Sequence, residues 1–170
     1  MTKTSILFKI FIIIVLASCA ASEIREIKQC AFNAEEETFT CSFLSTGKVF
    51  YVGGMKYIDN TYYKDGFGTE YFKNGAIYKG GWKMGNKSGK GTYTVSDKTA
   101  CSSDWINDKQ NGIVTCIYSG DTEGHKREGL TNGSGAWTGR TLYTFPDGRK
   151  IEESWENGNL ISQRDINSNP

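Results

Sequence analysis

The stretch Tyr78-Lys79-Gly80-Gly81-Trp82-Lys83-Met84-Gly85-Asn86-Lys87-Ser88-Gly89-Lys90-Gly91-Thr92-Tyr93 reads as two short extended runs joined by a glycine-bearing loop. Strands are expected from Tyr78 to Trp82 and from Gly89 to Val95, with Lys83 to Ser88 as the loop. A helix is excluded, because each glycine would cost about 1 kcal/mol in a helix interior and no 3.6-residue apolar period accompanies them. The stretch is one copy of a repeat. Gly66, Gly89, Gly112 and Gly135 stand 23 residues apart, and Thr69, Thr92, Thr115 and Thr138 keep the same step, as do Trp82 and Trp105. From Trp105 to Trp155 is 50 residues, two periods and four more, so a short insertion is expected between Thr138 and Ser154. A period of this length marks an architecture in which each unit packs only on its neighbours. Asn74-Gly75 and Asp147-Gly148 supply tight turns between units, since both dipeptides accept positive φ. The fold expected is all-β, an elongated single-sheet meander of consecutive β-hairpins.

The unit from Tyr78 to Tyr93 resembles a MORN repeat, whose pattern is Tyr-x-Gly-x-Trp-x-x-Gly followed by a Gly-x-Gly-x-x-Tyr strand. The resemblance extends over about residues 50 to 160. In the unit before, Met55, Tyr57 and Asp59 are assigned to the Tyr, Gly and Trp positions; in the fourth, Gly124 stands at the Tyr position, Arg127 one place from the Gly position and Glu128 at the Trp position. Degenerate terminal units are what a capped stack needs. The resemblance implies a scaffold that binds a protein partner, with phospholipid association as a further implication.

All 20 glycines lie between Gly47 and Gly158, and 17 Phe, Tyr and Trp residues fall between Phe50 and Trp155. That mixture, with only two prolines, excludes a collagenous or low-complexity chain. The net charge of +1, from 20 Lys and Arg against 19 Asp and Glu, gives no electrostatic footprint for nucleic acid.

Residues 1–18 carry Lys3, Lys9, no acid and an apolar run from Ile10 to Ala17 that is too short to span a bilayer as a helix. Leu16-Ala17-Ser18-Cys19 resembles a bacterial lipobox, which implies lipidation of Cys19 after removal of the signal peptide. The expected organisation is therefore a signal peptide at 1–18, a lipid-anchored tether at 19–26, a disulfide-closed hairpin at 27–48, the repeat domain at 49–160 and a polar tail at 161–170. Ala20 resembles the sorting pattern for an outer membrane where the cell has two.

Removing Cys19 from the cysteine count leaves Cys30, Cys41, Cys101 and Cys116, an even number suited to an exported protein. Directly opposed residues of an antiparallel hairpin share one sum of residue numbers. Tyr78 with Tyr93 and Trp82 with Gly89 give one sum; a repeat later, Cys101 with Cys116 and Trp105 with Gly112 give another. Cys30 with Cys41 shares its sum with Phe32 and Phe39 around the turn Ala34 to Glu37. Two cross-strand disulfides are expected, each worth about 3 kcal/mol in the chain-entropy account.

No catalytic residue, metal or cofactor is expected. His125, the only histidine, has no second histidine or adjacent nucleophile and reads as a solvated surface residue. Glu152 and Glu153 are adjacent on a strand and point to opposite faces, which argues against a carboxylate pair. The candidate binding residues are the aromatics at repeat positions, Tyr78, Trp82, Tyr93, Trp105 and Trp155. They form either the packed face of a thin sheet or an open groove for a peptide or sugar. The partners expected are the membrane, through the lipid, and a protein, with a glycan as the alternative. The segment from Gly120 to Gly139, where the pattern fails, is the place to look for specific function.

Overall fold

A computed structural model describes residues 28–95 and 98–167. The signal peptide, Cys19 and the tether expected within residues 1–26 lie outside the described residues. Six hairpins run in chain order: β1 (Lys28–Asn33) with β2 (Thr38–Phe43), β3 (Val49–Ile58) with β4 (Thr61–Tyr71), β5 (Ile77–Lys83) with β6 (Asn86–Thr94), β7 (Ala100–Ile106) with β8 (Lys109–Ile117), β9 (Lys126–Thr131) with β10 (Trp137–Thr144), and β11 (Lys150–Glu156) with β12 (Asn159–Asp165). All twelve strands join one open antiparallel sheet in sequential order, the meander expected from the repeat. At about 4.8 Å between strands, the sheet is about 50 Å long. It continues through Asp165, inside the segment expected as a tail.

The six-residue loop expected after Trp82 is a two-residue turn, Met84-Gly85, with φ of 49° and 86°. Asp59-Asn60, Asn107-Asp108 and Asn157-Gly158 repeat that pair of positive φ values, so the tips of four hairpins are turns whose twist matches the strands they join. The missing loop residues lie inside the second strand as a bulge. Gly80 pairs with Gly91, but Trp82 pairs with Lys87 rather than Gly89, so β6 carries two more residues than β5 over that step. Gly89, at φ 74°, takes the bend, and Gly66, Gly112 and Gly139 do the same in their strands at φ 89°, 78° and 68°. These glycines therefore bulge the second strand rather than start it. Across the sheet, Gly66, Gly89 and Gly139 face the tryptophan of the following hairpin, Trp82, Trp105 and Trp155.

The register also corrects the unit boundaries. Tyr51, Gly53 and Met55 occupy the Tyr, Gly and Trp positions of the first unit, because Gly53 pairs with Gly68 as Gly80 pairs with Gly91. In the fourth unit those positions fall on Arg127, Gly129 and Thr131. The insertion precedes Gly139 instead of following Thr138. The β8–β9 connection uses residues 118–125, with a 3-10 turn at Gly120–Thr122, where 95–99 and 145–149 suffice elsewhere. The β9–β10 turn adds one residue more between Thr131 and Trp137. Gly135, expected to start a strand, makes that turn at φ 84°.

Candidate functional site

One row of side chains crosses the sheet at right angles to the strands. Cys30, Cys41, Tyr51, Glu70, Tyr78, Tyr93, Cys101, Cys116, Arg127, Tyr143 and Ile151 are successive register partners from β1 to β11. Beside it runs a glycine row, Gly53, Gly68, Gly80 and Gly91. The tyrosines lie down on those glycines: a Cβ at Gly68 would sit 2.4 Å from the Tyr51 hydroxyl oxygen, and one at Gly91 2.3 Å from that of Tyr78. Their hydroxyls donate to the Gly54 carbonyl at 2.7 Å and the Gly81 carbonyl at 3.1 Å. The Trp82 and Trp105 indoles donate to the carbonyls of Gly68 and Gly91 at 3.4 and 3.3 Å. Tyr51, Trp82, Tyr78 and Trp105 meet edge to face at 5.9, 5.1 and 5.3 Å between ring centroids, the arrangement that aromatic quadrupoles favour. Burial lifts the Tyr78 phenol to about 12, with Asp108 adding to it, and raises Tyr51 as well.

Of the candidate binding aromatics, then, Tyr78, Trp82 and Trp105 are 0%, 5% and 7% exposed. Rings so enclosed offer no face for a sugar to stack on. Tyr93 packs on Phe72, and Trp155 donates to Thr141 Oγ1 and Glu153 Oε2. Both disulfides form between the opposed pairs expected, Cys30 with Cys41 and Cys101 with Cys116.

Two lysines cover the ladder. Lys64 places its ammonium 4.2 Å from the Trp82 ring centroid and 5.1 Å from that of Tyr51, and pairs with Glu70. Lys87 stands 5.2 Å from the Trp105 ring and 5.3 Å from Tyr78. Burial lowers the Lys64 pKa against the opposing pull of Glu70. Sequence reasoning missed this pair, although the signal was there: Lys64 and Lys87 keep the 23-residue step.

The fourth unit solves the same packing problem with charge. Arg127 replaces the tyrosine, and Thr141 and Glu153 put side chains on the glycine row. The guanidinium donates to Glu153 at 2.8 and 3.1 Å and to the Tyr118 hydroxyl at 2.6 Å. Thr141 and Trp155 donate to the same carboxylate at 2.8 and 3.0 Å. Burial opposes the charge on Glu153, but these donors outweigh it and hold its pKa below the usual carboxylate value. His125 is half-buried rather than solvated, between Tyr143 and Phe145, with Nδ1 2.7 Å from the Tyr143 hydroxyl. Glu152 lies on the opposite face and accepts from Arg164 at 2.9 Å, as the strand alternation required.

At the β1 end the inner face of the sheet, the one that carries the Cys30-to-Ile151 row, opens into a groove of about 600 Å³. Its apolar lining comes from Cys30, Cys41, Phe50, Tyr51 and Met55, and Lys28 and Lys64 stand at its margin. One wall, Tyr57 to Tyr62, belongs to the β3–β4 hairpin, which spends four residues more than β5–β6 between its equivalent pairs, Gly53–Gly68 and Gly80–Gly91. The rings of Tyr57 and Tyr62 meet at 4.6 Å between centroids in that wall, tilted by 44°.

No family model matches the chain. Over 63 residues it is 41% identical to MORN repeat-containing protein 3 of Xenopus laevis, a match covering 33% of this chain and 26% of that protein. That stretch is similar to a MORN repeat-containing protein, and the chain spans about a quarter of that relative's length; the hairpin meander agrees with the similarity.

Proposed function

We propose that the chain is a lipid-anchored, exported repeat scaffold that binds a protein partner at a bacterial cell envelope. The observation that carries the reading is the outer face of the sheet. Phe67, Ile113 and Leu130, on three different hairpins, stay 63%, 66% and 50% exposed there. Ile113 and Leu130 line one depression there together with Leu142, and a contiguous apolar patch of that kind is what a protein partner covers. Export is supported by two disulfides, which persist in oxidising compartments. Anchoring is supported by Leu16-Ala17-Ser18-Cys19 behind an apolar run. The net charge near zero leaves membrane attachment to the lipid. Ala20 favours an outer membrane as the destination where there is one.

Detergent phase partition tests the anchor: the native protein enters the detergent phase, and a Cys19→Ala form that still does so refutes lipidation. Cross-linking with mass spectrometry in the native envelope tests the scaffold. Failure to recover any protein joined to the outer face would count against it.

A further inference from the structure

We propose that the open edge of β1 and the adjoining groove form a docking site for an extended acidic peptide segment of the partner, a reading that rests on the scaffold function above. Among the described residues β1 pairs only with β2, so its outer backbone groups are available to one more strand. Lys28, Cys30 and Phe32 alternate on the inner face of that edge, opposite Phe43, Cys41 and Phe39. The groove begins at Lys28 and Cys30. A strand added to β1 therefore sets three alternate side chains beside an ammonium, over the disulfide at the mouth of the groove, and against the exposed ring of Phe32.

The chemistry of those three positions selects the occupant. Among the described residues the groove lining carries two ammonium groups and no carboxylate. Glu70 already pairs with Lys64, whereas among the described residues Lys28 meets the rings of Phe43 and Phe50, at 5.9 and 5.1 Å, rather than an acid. The position beside Lys28 thus takes an acid, the next alternate position a long apolar side chain that fills the groove, and the third an aromatic that extends the Phe32–Phe39–Tyr62 run of rings. The lengthened β3–β4 hairpin supplies the far wall and is absent from the other units, so the groove is an addition to the repeat rather than a consequence of it.

The test is fluorescence anisotropy of the purified, disulfide-intact chain with a labelled nine-residue peptide. The peptide carries glutamate, leucine and phenylalanine at three successive alternate positions, with threonine elsewhere. Saturable binding is expected, weakened tenfold or more when lysine replaces the glutamate, and similarly when alternate backbone amides are N-methylated to block strand pairing. In Lys28→Glu, an exposed position, the preference between the acidic and basic peptides should reverse. No saturable binding, equal binding of the two peptides, or indifference to N-methylation overturns the proposal. A concentration-dependent dimer that the peptide fails to dissociate assigns the edge to a second copy and also overturns it. Photo-cross-linkers at Tyr57 and at Leu142, on opposite faces, separate this failure from failure of the scaffold reading. A partner joined at Leu142 alone removes the groove and keeps the scaffold, and none at either position removes both.

Discussion

Replacing Gly91 by alanine should unseat Tyr78, and the cost can be worked from the contacts. The new Cβ would lie 2.3 Å from the Tyr78 hydroxyl oxygen and 2.6 Å from two ring carbons, against a comfortable separation of about 3.5 Å, so the ring must move by about 1 Å. That shift breaks the hydroxyl bond to the Gly81 carbonyl, worth about 1 kcal/mol. It also disturbs the edge-to-face contacts with Trp82 and Trp105, each worth about 0.5–1.5 kcal/mol. The loss of about 2–4 kcal/mol is offset by about 0.4–1 kcal/mol from a less flexible unfolded chain, leaving a net destabilisation of about 1–3.6 kcal/mol. In a Tyr78→Ala background, itself weakened by about 3–5 kcal/mol, the clash is gone and Gly91→Ala should be neutral or slightly stabilising. Equilibrium urea unfolding of the four proteins closes the cycle, with an expected coupling of about 2–4 kcal/mol. Gly89→Ala is the control. Its φ of 74° strains alanine by about 1–2 kcal/mol, and no atom lies within 4 Å of the new Cβ, so its cost should be the same in both backgrounds. Additivity of Gly91→Ala with Tyr78→Ala within about 0.5 kcal/mol would refute the argument that the glycine row exists to seat the tyrosines.

Removing the Cys101–Cys116 bridge with paired alanines should lower stability by about 3 kcal/mol, read as a lower urea midpoint that reductant no longer shifts once the other bridge is also removed. Because Glu153 has its pKa depressed in the folded state, its stabilisation is present above the ordinary carboxylate value of 4.5 and is lost as pH falls through the folded pKa. Urea midpoints of the native protein should therefore fall below about pH 4.5, and Glu153→Gln should flatten that slope. Arg127→Ala leaves that carboxylate buried without its cation and should cost about 3–5 kcal/mol. Rebuilding the second unit's pattern with Arg127→Tyr, Thr141→Gly and Glu153→Ser together should recover part of that loss, which thermal unfolding of the two variants can decide.

The sheet and the Cys101–Cys116 bridge were legible through the repeat, and the Cys30–Cys41 bridge through the register of its own hairpin. Opposed residues on the half of a hairpin away from its bulge keep a constant sum, and Cys101 with Cys116 and Tyr78 with Tyr93 lie on that half, while β1–β2, with Cys30 and Cys41, has no bulge and keeps one sum throughout. The same sum fails for Trp82 and Gly89 because the bulge at left-handed Gly89 places two extra residues on β6 between Lys87 and Gly91. A glycine that starts a strand and one that bulges it have the same letter and the same spacing, so the period could not separate the two. Counting strictly by 23 also carried the fourth unit onto the wrong residues, since Gly135 keeps the step while the structural equivalent is Gly139. The groove was hidden for a different reason. Its wall comes from four residues added to the first repeat hairpin, which broke the pattern match there and placed Met55, Tyr57 and Asp59 in positions that Tyr51, Gly53 and Met55 fill.

These departures bear on what the repeat specifies. In the first two units a flat tyrosine requires bare glycines beneath it; in the fourth, glycine-row side chains require the tyrosine to be gone, and Arg127, Thr141 and Glu153 change together. The third lies between, with a disulfide in the tyrosine row and Val114 buried beside it. A row can therefore change its chemistry from aromatic to covalent to ionic while the backbone pairing continues unbroken, provided each change is matched across the adjoining row. Sequence decay in such a chain is constrained in pairs, so an unmatched feature carries more information than a degenerate one. The added length of β3–β4 is such a feature, because nothing in the neighbouring rows compensates for it, and its tip encloses the groove beside the open edge of the sheet.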